Sequence, residues 1–198
     1  ALSITKIEPG ENLFFKILSY WEKGVWDPPL LVFAMQMMLM LVLGHVLALS
    51  HPVNYIIDKG IIFCNNSAKA AAIVTFSTLI VSLINWGLGL VFGAIFARKV
   101  GEYANKNNIN LNYPLIGAAG YSGLMIWHGG ISGSAPIKIA EKGHFLADKI
   151  GVISQSNTIF SVMNISISCI LLIVLPLVMY YLGKKSQGTV LPNPTLLE

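Results

Sequence analysis

The sequence predicts an all-α polytopic membrane protein, and three observations carry that prediction. Only 11% of the residues are charged, where ordinary soluble domains have about a quarter. Hydrophobic residues make up 55%, and the mean hydropathy is +0.68. The apolar residues also gather into long runs rather than alternating with polar ones. A crossing of the hydrocarbon core needs roughly 20 mostly apolar residues, and residues 29–49, 70–97, 113–127 and 158–182 each approach or exceed that length. They define about four membrane-embedded segments within a membrane domain over 29–185. An approach segment, 1–28, precedes it, and a flexible tail or linker, 186–198, follows.

In the approach segment Leu13, Phe14, Ile17, Leu18 and Trp21 recur at helical spacing and form one apolar stripe, which suits an interfacial helix. Lys6, Glu8, Glu11, Lys16, Glu22 and Lys23 precede the first apolar run, unlike a signal peptide. The chain does not open on methionine, as expected of a processed or partial sequence. Asp27-Pro28-Pro29 then starts a helix, because proline is tolerated in a first turn but not in an interior. That helix runs from Pro29 to about Ser50 and holds Gln36 and His45, which are expected to face protein rather than lipid. His51-Pro52 ends it, since the residue before proline disfavours helical backbone. Residues 51–69 read as a solvent-facing loop whose Asn65-Asn66-Ser67 cluster caps the next helix.

The second run, 70–97, is long for one span and is interrupted by Ile84-Asn85-Trp86-Gly87-Leu88-Gly89. A re-entrant hairpin and a single tilted helix both accommodate the interruption. Gly87 and Gly89 loosen the helix and Asn85 supplies an amide, and unwound backbone at membrane depth survives only where protein or a water-filled cavity satisfies it. In the third run Gly117, Ala118, Ala119, Gly120, Ser122 and Gly123 allow close helix approach. The glycines after it cost about 1 kcal/mol each relative to alanine in a helix, so a broken helix is expected near His128. Residues 137–157 form a mixed loop long enough for a short amphipathic helix. The last span, 158–182, carries Asn164, Ser166 and Ser168 early and closes on Lys184-Lys185.

Several classes are excluded. The thirteen Lys and Arg are scattered through the connections, without the basic stripe that grips nucleic acid. Cys64 and Cys169 are too few for a disulfide framework or a zinc site, so no metal site is assigned. Ser132-Gly133-Ser134 lacks the strand–turn–helix setting of a nucleophile elbow, and no Asp or Glu lies at membrane depth to act as a base, so the chain is not read as an enzyme. On a four-span reading the N-terminal segment, the Arg98 connection and the tail share one side with eight Lys and Arg, against five elsewhere. Positive-inside weighting makes that side cytoplasmic, although a hairpin over 70–97 would change the parity.

Two stretches could carry chemistry. Asn85 is either interhelical glue or, with Trp86 and carbonyls freed around Gly87 and Gly89, part of a discontinuous-helix site for a cation or an anionic substrate. His128, Gly129, Gly130, Ser132, Gly133 and Ser134 supply hydroxyls and backbone N–H groups able to hold a carboxylate without a full counter-charge; the bland alternative is an extramembrane loop. His128 is a coupling candidate because imidazole titrates near neutral pH, with His45 and Gln36 as further candidates. Either histidine could equally be structural, and His45 lies close enough to its helix end to snorkel.

The stretches Phe33-Ala34-Met35-Gln36-Met37 with Gly44-His45-Val46-Leu47-Ala48, Ile84-Asn85-Trp86-Gly87-Leu88-Gly89-Leu90-Val91 with Phe96-Ala97-Arg98, and His128-Gly129-Gly130-Ile131-Ser132-Gly133-Ser134-Ala135-Pro136, in that order, resemble the short-chain fatty acid transporter family. The resemblance runs from about Trp21 to Pro194, and the chain resembles one part of a longer transporter. It implies secondary transport of acetoacetate-like or butyrate-like carboxylates across the bacterial inner membrane, driven by Na+ or H+, with no other cofactor. It further implies an inverted-repeat half as in the ion transporter superfamily, so that the partners are a small carboxylate, the bilayer and a second transporter half or another copy. One position departs: His128 stands where the family pattern carries a glycine. A passive channel or sensor subunit and a structural membrane subunit are the competing expectations.

Overall fold

The computed structural model describes residues 12–186, which form helices and no strand. The expectations for 1–11 and for the tail beyond Ser186 lie outside these residues. The chain divides into two compact units, 1–39 and 40–198.

The first unit contains α1 (Leu13–Val25) and the opening of α2 (Pro28–Ala48). Asn12 caps α1, its side chain accepting the Phe14 N–H at 3.0 Å. Phe14, Phe15, Ile17, Leu18 and Trp21 are exposed. Pro28 and Pro29 occupy the first turn of α2, as their missing N–H allows. Among α2 residues only Gly44 and Ala48 are buried. Gln36 and His45 are both exposed on α2. The buried line is narrow, and neither residue falls on it.

The second unit starts with a further correction. Residues 51–61 are not a loop but α3 (His51–Ile61), with Pro52 in its first turn. The same proline that stops one helix pre-sets φ for the next. Ile57 and Ile61 are buried, and Gly60 lies against the Phe96 ring.

α4 (Ser67–Ile84) is capped by Asn66, whose Oδ1 accepts the Lys69 N–H at 2.9 Å. Asn85 alone separates it from α5 (Trp86–Lys106). Ser82 faces Gly89 and Thr78 faces Gly93, the pairing of an antiparallel hairpin. The second apolar run therefore turns back on itself, and the single tilted helix is excluded. From Trp86 to Ala97 the apolar part of α5 rises about 18 Å, less than the ~30 Å core, whereas its partner α4 is by itself long and apolar enough to cross a membrane.

α6 (Tyr113–Tyr121) returns along α5, its Gly120 backbone in contact with that of Gly93. It unwinds already at Ser122, earlier than His128, where the break was expected. The Ser122 hydroxyl donates to the Ala119 carbonyl at 2.7 Å, diverting the local hydrogen bonding. Two short 3-10 turns, Ser122–Met125 and Trp127–Gly129, follow. The mixed connection then holds α7 (Ser134–Ala140) and α8 (Ala147–Ile150). α9 (Val162–Lys185) is capped by the Ser161 hydroxyl and runs antiparallel to α4, with Gly183 against Ser67 and Ala68. The core among α3, α4, α5 and α6 is filled by Ile57, Val74, Phe92, Phe96, Val100 and Ile116.

Lys99 Nζ lies 2.7 Å from Asp58 Oδ1, so the 51–69 region and the end of α5 share one end of the unit. The four-span count had put them on opposite sides. Helices α2, α4 and α9 are each long and apolar enough to cross a membrane.

Replacing Gly93 by leucine drives a side chain into the Gly120 carbonyl. Overpacking of this kind costs about 1–3 kcal/mol, and the expected loss is read as a lower unfolding temperature of the detergent-solubilised chain, with Gly117→Leu, where a Cβ meets open space, as the control.

Candidate functional site

The two stretches singled out in the sequence meet. The Trp86 N–H donates to Ser132 Oγ at 2.9 Å, across 46 residues of chain. The Ile131 N–H donates to the Leu83 carbonyl at 2.7 Å. Ser132 is buried, 8% exposed. Its oxygen accepts from Trp86, which leaves its own O–H free to rotate and donate. Gly130 is required here because a Cβ would enter the Leu83 backbone.

Asn85 adopts an extended conformation and caps α5, its Oδ1 accepting the Leu88 N–H at 2.9 Å. Its oxygen is therefore committed to the helix terminus. The positive end of the α5 dipole points at the junction from a helix of 21 residues. Gly87 and Gly89 lie inside α5, and the Gly89 N–H bonds to the Asn85 carbonyl at 2.8 Å. The freed carbonyls expected around them are not present, since one extended residue suffices to reverse the chain. These glycines serve packing instead, Gly87 under Met40 and Gly89 under Ser82.

Aromatic rings surround the junction. Trp86 and Trp127 meet edge to face at 5.0 Å, and Trp127 and His128 at 5.1 Å. Trp86 Nε1 is buried and has no acceptor among the described residues, an unsatisfied donor of the kind that calls for an explanation. His128 itself is exposed. Ser134 opens α7, and Gly133 is buried against the His128 carbonyl. His45 is exposed on α2, although the neighbouring Gly44 packs on Gly87 and Leu88. Gln36 belongs to the other unit.

Asn164 was noted in the last span but not assigned to the site. Its Nδ2 donates to the Gly129 carbonyl at 2.9 Å and to the Ile159 carbonyl at 2.8 Å, fastening α9 to the glycine loop. The signal was available in the sequence, an amide in an apolar helix that must find a partner. Beside it an open cavity of about 270 Å³ runs between α4, the loop and α9. Of the two free thiols, Cys169 lines this cavity, while burial pushes the Cys64 thiol up to about 12.

The chain matches the family model described as short chain fatty acid transporter over residues 4–198. It is 36% identical over 181 residues to a protein of Escherichia coli (strain K12) provisionally named a short-chain fatty acid transporter. A protein of Haemophilus influenzae (strain ATCC 51907 / DSM 11121 / KW20 / Rd) with the same provisional name is 34% identical over 188 residues. Each comparison covers 91% of this chain but 40% and 41% of the relative, so the chain spans about two fifths of the length of the curated relatives it matches. No solved structure matches it significantly.

Asn85→Ala removes the cap at the tip and is expected to cost about 1 kcal/mol, whereas Asn85→Ser keeps a capping oxygen. Thermal unfolding of the two variants in detergent should separate them, with alanine the less stable.

Proposed function

The chain belongs to the short-chain fatty acid transporter family, and on that premise we propose that it carries half of a secondary transport site for short-chain carboxylates in a bacterial inner membrane. The observation that supports this most directly is the Trp86 N–H to Ser132 hydrogen bond, which ties the tip of the α4–α5 hairpin to the unwound glycine loop. The membership is in a transporter family, not an enzyme family.

The site binds an anion with dipoles rather than charge. Ser132 donates its hydroxyl to a carboxylate oxygen while its own oxygen stays fixed by Trp86. The N-terminus of α5 adds positive potential, and Trp86 Nε1–H is a second donor in reach of the junction. No Lys or Arg occurs in 83–89 or 127–134. A fixed cation there would hold the anion too tightly, and a carrier must also let go. Coupling to Na+ or H+ compensates the substrate's charge. For H+, His128 is the candidate at the loop, with His45 and Gln36 on α2 as outer candidates. The cationic end of the second unit, with Lys59, Lys69, Arg98, Lys99, Lys106, Lys184 and Lys185, faces the cytoplasm under the positive-inside rule. The largely exposed apolar surfaces of α2 and α9 are covered by lipid and by the remaining transporter half or another copy.

In proteoliposomes containing the full-length transporter, Ser132→Ala should lower kcat/KM for labelled butyrate by about tenfold or more, the worth of one hydrogen bond to a charged group. Unchanged uptake would remove Ser132 from the site. Uptake should also rise with an imposed Na+ or proton gradient, and His128→Gly should flatten its pH dependence if H+ is the coupled ion. Flux indifferent to both gradients would instead identify a passive channel.

A further inference from the structure

The cavity beside α9 has both a size and a lining that bear on the substrate. Its volume of about 270 Å³ falls just below the roughly 300–1,000 Å³ of pockets for drug-sized ligands. Leu83 and Ile84 of α4, Gly130 of the loop, and Asn164, Cys169 and Leu172 of α9 contribute to its wall. We infer that this cavity receives the hydrocarbon chain of the transported carboxylate, with the carboxylate outside it at Ser132 on the glycine loop, the chain entering past Asn164 and the terminal methyl directed along α9 toward Leu172. The inference rests on the transport reading above and deepens it, because it names the residues that set chain length.

Continuity with the junction is the first support. Leu83 and Ile84 immediately precede Asn85, and the Leu83 carbonyl that accepts from Ile131 joins the cavity wall to the loop carrying Ser132. The second support is the distribution of polar groups. No ionised side chain lines the cavity, so a carboxylate inside it would lose hydration without compensation, while an alkyl chain gains by leaving water. The Asn164 amide N–H groups are already committed to the Gly129 and Ile159 carbonyls. Asn164 is thus a positioning residue that shapes the entrance, and the anion stays at Ser132. The third support is length. Asn164 to Leu172 is two helical turns, about 12 Å, which suits a short acid. A membrane lipid tail spans one leaflet, about 15 Å or more, and would extend past the Leu172 end.

Cys169 provides a reporter, since Cys64 is buried. In the full-length transporter reconstituted in liposomes, alkylation of Cys169 by N-ethylmaleimide, followed by peptide mass spectrometry and identified against Cys169→Ser, should slow about tenfold when butyrate stands at about ten times its Kd. Independently, Leu172→Phe should lower the butyrate-to-acetate uptake ratio about tenfold, the scale on which an apolar pocket discriminates one methylene. Labelling of Cys169 that is absent or unaffected by butyrate overturns the inference, as does protection by palmitate in place of butyrate, or an unchanged ratio in a transporting Leu172→Phe protein. If that variant fails to fold, Cys169 protection decides alone. A parent protein that neither binds nor moves any short carboxylate defeats the transport reading itself, whereas a parent that moves butyrate without protecting Cys169 defeats only the chain-cavity assignment.

Discussion

Reversal of the chain at Asn85, inside an apolar run, is the constraint on which the second unit depends. In hydrocarbon every backbone N–H and C=O must find a partner within the protein, so a turn at that depth is tolerated only if its orphan groups are met. The Asn85 side chain accepts the Leu88 N–H, and Ser132 accepts the Trp86 N–H. The Leu83 carbonyl takes the Ile131 N–H. The loop after the broken helix is therefore the other half of the turn's hydrogen bonding. The tip and the loop complete each other's hydrogen bonding, which places two chemically distinct stretches in one location.

Small residues make that meeting sterically feasible. Gly89 and Gly123 both lie against Ser82, and Gly93 against Gly120, so α4, α5 and the α6 segment approach at backbone distance. Lipid tails are as apolar as leucine, and close packing rather than water exclusion holds such helices together. Phe96 and Val100 of the core lie on either side of Lys99 in sequence, toward the end carrying the Lys99–Asp58 ion pair. At the tip itself Ser132 of the glycine loop meets the Trp86 N–H, and the Trp86 and Trp127 rings meet each other.

The two most apolar helices, α2 and α9, behave differently from the hairpin. α9 touches α4 along one face and the loop through Asn164, yet among its residues only Gly183 is fully buried. α2 buries only Gly44 and Ala48. Helices hydrophobic on every side and packed on one narrow line need a nonaqueous surrounding on the rest of their surface. Membership in a family whose compared relatives are much longer is consistent with some of that surface meeting protein.

Composition and run length alone determined the class of this protein, because burying so many apolar residues at this level of charge has no soluble solution. A cap and a proline likewise located the starts of α2 and α4, since Pro28 and Asn66 act on neighbours a few residues away. The motif residues Asn85, Trp86 and the 128–134 run were legible by type, as polar and glycine-rich interruptions in apolar sequence. Whether 70–97 crosses or returns, and that Trp86 bonds Ser132, are pairings between residues distant in sequence, and only the tertiary structure decided them. Local signals also misled where one residue serves two neighbours. Pro52 ends α2 and begins α3, and Ser122 unwinds α6 before the glycines that drew attention. Asn164 was visible as an isolated amide, but its role existed only once the Gly129 carbonyl stood beside it.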